Sequence, residues 1–221
     1  NFLMKHLYLN RVFLSLSLYL LVFSFAKAQH NLFHQNYDKA AQFAVDNDEL
    51  KELKNEGELV IFNESKHRTN LAQKLLDKKV GKDIEIETPT RLTTYEVAAS
   101  AEIEHHRLRY IFIDGTKLNK KQVSKRVNYI KRLLDEKKTF ESVARQYSMD
   151  RNAKRGGDSG WFKKLETHPE FYQAVAENNR YANEVFEVNI PENNWHYLVK
   201  YTFSPKPIRE VLILKKAEAR K

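Results

Sequence analysis

FESVARQYSMDRNAKRGGDSGWF, from Phe140 to Phe162, constrains the architecture more than any other segment. It opens with Phe140, Val143, Ala144 and Tyr147 at i, i+3, i+4 and i+7, one apolar stripe of an amphipathic helix, with Thr139 in front as its N-cap. Ser148 and Asp150 follow, then a basic link (Arg151, Lys154, Arg155) and Gly156-Gly157-Asp158-Ser159-Gly160. Adjacent glycines permit left-handed backbone or a close approach of two chains. Asp158 is suited to hydrogen-bond its own turn, and Trp161-Phe162 returns the chain to a core.

Working outward, the amino-terminal end reads as an export leader. Lys5 and Arg11 precede an apolar run from Val12 to Phe25, and Ala26-Lys27-Ala28 fits a small-x-small cleavage site. Cleavage after Ala28 would start the mature chain at Gln29, which carries no thiol for a lipid anchor. The run is short for a membrane-spanning helix, so no stable span is expected once the leader is removed. The chain has a formal net charge of +9, some of it in the leader, and no cysteine. Disulfides, thiol catalysis and cysteine-bound metal are thereby excluded, and stability must come from core burial.

Between the leader and the central segment, Asn36 to Lys54 has a helical apolar pattern and Glu58 to Phe62 reads as a buried strand. Arg68 to Lys79 reads as a second helix, Ile84 and Ile86 as an alternating strand, and Leu92 to Ile103 as a strand rich in Thr, Val and Tyr. Leu108 to Ile113 is a strong strand. Asn119 caps a long helix with Val123, Val127, Ile130, Leu133 and Leu134 on its apolar face. A short helix follows Pro169, then strands at Val185 to Val188 and Trp195 to Tyr201. Alternation sets Trp195, Tyr197 and Val199 on one face of the last strand, with His196, Leu198 and Lys200 on the other. The tail holds Val211 to Leu214, which reads as a strand added to the amino-terminal unit or as a client-facing arm. His67, His105 and His106 lack chelating spacing, and no cofactor motif is present.

The order of parts from Phe140 to Phe162 resembles the parvulin (PpiC, rotamase) family of peptidyl-prolyl cis-trans isomerases. That family has a phenylalanine-led helix, a tyrosine-serine-x-aspartate step, and glycine-glycine-aspartate-x-glycine before aromatics. The resemblance extends over about residues 107–203, since Trp195-His196 matches the aromatic-histidine pair that opens the family's closing strand. It implies an α+β fold: a parvulin-like domain with a four-stranded antiparallel sheet and about four helices, plus a small amino-terminal α/β extension. The expected boundaries are a leader over 1–28, the extension over 29–104, the isomerase domain over 105–203 and the tail over 204–221.

Carried over residue by residue, the resemblance puts Tyr110, Asp150 and His196 at the centre. Tyr110 stands where most members have a second histidine, stacked across the floor of the site on the first. Phe171 matches a phenylalanine of the proline-binding cup. Ser159 and Thr167 replace its usual leucine and methionine, leaving Trp161, Phe162 and Leu165 to complete the apolar wall. The expectation is an exported isomerase of weak activity that assists folding of envelope or secreted proteins and acts on unfolded or proline-containing polypeptides. The other reading is a non-catalytic chaperone or the binding subunit of an outer-membrane secretion or assembly complex. Nucleic-acid binding, suggested only by basic charge and aromatic strands, is opposed by the export leader.

Overall fold

The computed structural model describes residues 41–176 and 181–219. The expected leader lies outside them. In chain order the elements are α1 (Asn47–Glu56), β1 (Glu58–Asn63), α2 (Asn70–Leu76), β2 (Asp83–Glu87), β3 (Arg91–His105), β4 (Arg109–Asp114), α3 (Lys120–Asp135) and α4 (Phe140–Tyr147). Then come α5 (Pro169–Ala176), β5 (Val185–Ile190), β6 (Trp195–Lys200) and β7 (Lys206–Ala219).

Two antiparallel sheets organise the chain. The first has the order β1-β7-β3-β2 and is covered on both faces. Leu50 of α1 packs with Leu59, Ile61, Ala99 and Leu212 on one side; Leu71, Leu75 and Leu76 of α2 pack with Val60, Val97, Val211 and Ile213 on the other. A bulge between Val97 and Ala99 lets β3 serve both layers. Without it the two residues would face the same way, because side chains alternate with a period of two. Within the tail, β7 is thus a central strand, paired with β3 from Lys206 to Ala219, and not an exposed arm. The helical pattern expected from Asn36 to Lys54 is interrupted within the described residues. Ala44 adopts φ 57°, and the Asp46 side chain accepts hydrogen bonds from the amides of Asp48 and Glu49, so the helix starts afresh at Asn47.

The second sheet has the order β4-β6-β5. On the free edge of β4 two isolated bridges, Arg109 to Asp158 and His106 to Phe162, take the place of a fourth strand. One face carries Ile111, Ile113 and Leu198 against α3 and α4, through Val123, Ile130, Phe140 and Val143. Asn119 and Gln122 form a reciprocal capping box that starts α3 where the sequence indicated. The other face carries Leu108, Val188 and Val199 against Phe162 and α5, through Phe171 and Val175.

The sheets are joined by buried polar groups as well as by the β3–β4 connection. Glu210 of β7, 1% exposed, accepts from Asn63 of β1 (2.6 Å) and from Lys163, and meets His105 Nε2 at 3.2 Å. Lys163 directly follows Phe162, so this network fastens the segment after the glycine turn to the core of the other sheet. Among the described residues no helix is long and apolar enough to cross a membrane.

Candidate functional site

Helix α4 and the glycine turn place the site's carboxylate. At the end of α4 the chain turns extended at Ser148, whose hydroxyl accepts from the Phe112 amide (2.9 Å) and donates to Asp150 Oδ1 (2.9 Å). Asp150 Oδ2 accepts from the Tyr110 hydroxyl at 2.7 Å. Asn152 in turn donates its side-chain amide to the Tyr110 oxygen, and Arg155 donates to Asn152. Tyr110 is therefore clamped on both sides. Burial, then the bond to Asp150, raises its phenol above the ordinary tyrosine value.

The glycines earn their positions by proximity. Gly157 has φ 78° and its carbonyl accepts from the Tyr110 amide at 2.9 Å; a Cβ there would lie 2.4 Å from the Tyr110 carbonyl oxygen. Asp158 forms a two-bond pair with Arg107 (3.0 and 2.6 Å) and accepts from the Gly160 amide. The Arg107 guanidinium holds the Asp158 carboxyl below the usual carboxylate range. Ser159 stitches the turn to the strand: its amide donates to the Leu108 carbonyl and its hydroxyl accepts from the Leu108 amide. That gives a polar residue at the family's leucine position a local structural use.

A cleft of about 990 Å³ opens above these groups. Its floor is aromatic: Tyr110, Tyr197, Trp195 and Phe171, with Phe171 and Tyr197 at a ring-centroid separation of 4.9 Å and Tyr110 and Tyr197 edge to face at 5.7 Å. Ser159, Trp161, Phe162 and Thr167 line it as well. Thr167 Oγ1 and His168 Nδ1 are buried there with no hydrogen-bond partner among the described residues, leaving polar capacity for a bound chain. The opposite wall belongs to the first sheet: Glu64 to Lys66 and Arg68 after β1, and Lys206 to Ile208 at the start of β7. Lys66 and Glu166 form an ion pair (2.6 Å) across this boundary.

Two of the expected residues lie elsewhere. His196 is not in the cleft. It pairs with Ile113 and projects from the opposite face of the sheet to Tyr110, its ring held by the side-chain oxygens of Asn189 (2.8 Å) and Asn194 (3.1 Å). The cause is register: a shift of one residue along a strand moves a side chain through the sheet. Tyr110 pairs with Val199, so the residue of β6 that shares its face is Tyr197. The floor is a pair of phenols where the resemblance implied a histidine beside a tyrosine. Leu165 is also outside. It sits in a 3-10 turn over Lys164–Glu166, is 43% exposed and does not line the cleft. Tyr110, Asp150, Ser159, Phe162, Thr167 and Phe171 do gather at the site, and Trp161 forms its rim, with Lys206 Nζ 4.7 Å from its ring centroid.

Residues not anticipated include Tyr197, Asn152, His168 and the wall given by the first sheet. For Tyr197 the signal was present in the alternation of β6, which groups it with Trp195 and Val199. Burial, with Asp150 and Asp114 nearby, pushes its phenol up to about 12. Its hydroxyl has no hydrogen-bond partner among the described residues.

The sequence model of the PPIC-type PPIase domain matches residues 90–201. The chain is 35% identical over 86 residues to chaperone SurA of Burkholderia pseudomallei, covering 38% of this chain and 19% of that protein. It is 36% identical over 100 residues to chaperone SurA of Nitrosospira multiformis, covering 43% and 22%. The chain thus spans about a fifth of the length of the curated relatives it matches. A solved PpiC-type peptidyl-prolyl cis-trans isomerase domain superposes with a TM-score of 0.40 at 24% identity, covering 48% of this chain and 94% of that one.

Proposed function

Because the chain belongs to the PPIC-type peptidyl-prolyl isomerase family, we propose that it catalyses rotation about X-Pro bonds in the cleft above Tyr110 and Asp150. The observation that carries this reading is the 2.7 Å hydrogen bond from the Tyr110 hydroxyl to Asp150, set under an aromatic cup. An X-Pro peptide bond resists rotation because of its partial double-bond character, with a barrier of about 20 kcal/mol. A catalyst needs no nucleophile or metal. It must bind the twisted amide better than either planar form. Phe171, Phe162 and Tyr197 offer an apolar seat for the proline ring.

Twisting removes conjugation and leaves a lone pair on the proline nitrogen, which only then accepts a hydrogen bond. A phenol that donates to that nitrogen therefore acts in the transition state alone. Tyr197 is the free donor. Tyr110 is held by Asp150 and Asn152 and serves to fix the floor. His196 has no part in this scheme. Ser159 and Thr167 make the cup less apolar than the family's, so the activity is modest.

Residues 105–203 carry the chemistry in this reading, with 29–104 and 204–221 forming the extension. The relatives named chaperone SurA support a role with unfolded, exported polypeptides, and the leader supports cleavage after Ala28 and residence in the cell envelope. A protease-coupled proline isomerisation assay on the leader-free chain tests the activity. Acceleration by the wild type, reduced in Tyr110→Phe and Asp150→Asn, is expected. No acceleration would overturn catalysis and leave a parvulin-like peptide-binding module, a reading that the polar Ser159 and Thr167 in the cup favour.

A further inference from the structure

The cleft's charge is uneven in a way the isomerisation chemistry does not use. Five basic side chains line it against two acidic ones. Lys66 is occupied by Glu166, and Arg107 by Asp158. The remaining three have no carboxylate partner among the described residues. Arg68 is exposed in the loop after β1, Lys206 lies over the Trp161 ring at 4.7 Å, and Arg155 reaches only the neutral Asn152. They come from different parts of the fold: the first sheet supplies Arg68 and Lys206, and the glycine-turn segment supplies Arg155. Cations gathered on the walls of one concave site raise the local potential together, more than the same charges scattered on an open surface.

We propose that this cleft selects proline segments flanked by aspartate or glutamate, with Arg68, Arg155 and Lys206 as the residues that determine the preference. This rests on the isomerase reading for its substrate and adds the chemical class of the neighbouring residue. Asp150 keeps its charge but lies behind the Tyr110 phenol and not on the cleft wall, where Arg68, Arg155 and Lys206 stand. The first sheet then has a direct role in recognition, since two of the three cations belong to it.

The test uses fluorescein-labelled proline peptides with Glu, Leu or Lys on either side of the proline. Binding is read by anisotropy and turnover by the coupled assay, at low and at high salt. The Glu peptide is expected to bind about fivefold more tightly than the Lys peptide at low salt, equivalent to about 1 kcal/mol at 1.4 kcal/mol per tenfold. The difference should shrink as added salt screens the charges. Arg68→Glu, Arg155→Glu and Lys206→Glu should each lower the Glu-to-Lys ratio, and the triple variant should invert it. A salt-independent ratio near one in the wild type overturns the proposal, as does the absence of binding by any peptide. Preferential binding of the Glu peptide without acceleration of any peptide would support the recognition surface while removing the isomerase reading, so the two failures are distinguishable.

Discussion

Tyr110 and Tyr197 meet edge to face at 5.7 Å, and only one of the two hydroxyls is engaged. The Tyr110 hydroxyl donates to Asp150 and accepts from the Asn152 amide, whereas Tyr197 opens on the cleft unpaired among the described residues. In the proposed reaction the pair divides the work between a fixed group and an available one. Tyr197→Phe keeps the ring and its packing against Phe171 and removes the donor. It should lower kcat/KM for a proline peptide by about tenfold, near 1.4 kcal/mol of transition-state stabilisation, with little change in peptide affinity. His196→Ala, on the other face, should leave the turnover rate within about twofold of wild type. If His196→Ala is the inactive variant and Tyr197→Phe the active one, the assignment of the floor is wrong.

The pH dependence follows from the same pair. Burial raises both phenols, Tyr197 to about 12, so neither loses its proton near neutrality. A central histidine would produce a step between about pH 5 and 8; with two phenols at the floor, kcat/KM in a His168→Gln background, which removes the imidazole lining the cleft, should show no histidine-type step there. The sign for stability is the opposite of a carboxylate's. A tyrosine whose folded pKa exceeds its unfolded value near 10 stabilises the fold fully below about pH 10, and that contribution is lost as pH rises towards about 12. Urea midpoints should therefore fall above about pH 10, and less steeply in Tyr197→Phe.

Gly157 and Gly160 have similar left-handed backbones, φ 78° and 68°, but different surroundings. A Cβ at Gly157 would meet the Tyr110 carbonyl oxygen at 2.4 Å, and one at Gly160 meets nothing within 4 Å. Gly160→Ala should cost only the left-handed penalty, about 1–2 kcal/mol. Gly157→Ala must also push the turn away from β4, so its cost should exceed that of Gly160→Ala by about 2 kcal/mol or more, within the range for severe local strain. It should reduce isomerase activity as well, because Tyr110 moves with its strand. Equal denaturation midpoints for the two variants would contradict the close approach.

Much of this was legible because the relevant patterns are local. The Phe140 stripe, the Asn119 cap and the alternation of β4 and β6 each depend on residues a few positions apart. The face of His196 was legible too, yet the aromatic-histidine match outweighed the alternation, and alternation was the physically stronger guide. The full length of β7 could not be read. Its apolar run covers only Val211 to Leu214, whereas its pairing with β3 carries the strand from Lys206 to Ala219. That partner lies about a hundred residues earlier in the chain, beyond the reach of local patterns. The cleft's second wall depends on the same long-range pairing, which brings Lys206 and the loop after β1 to the isomerase domain.

The buried ion pair between Glu210 and Lys163 is another long-range contact, joining β7 to the segment after the glycine turn. Burial works against ionisation of Glu210, but hydrogen bonds from His105, Lys163 and Asn63 outweigh it and bring the carboxyl down to about 2. A depressed carboxylate stabilises the fold above its unfolded value near 4.5, and that contribution is lost as pH falls towards about 2. Glu210→Gln leaves the Lys163 ammonium buried without a counter-charge and should cost about 3–5 kcal/mol, the range for breaking a buried pair. Replacing both partners, Glu210→Met with Lys163→Met, removes the stranded charge and should recover most of that loss. The double variant should also flatten the stability curve between about pH 2 and 4.5. Urea denaturation of the three proteins across this range tests the linkage. If Glu210→Gln is as stable as the wild type at neutral pH, the network does not hold the two sheets together.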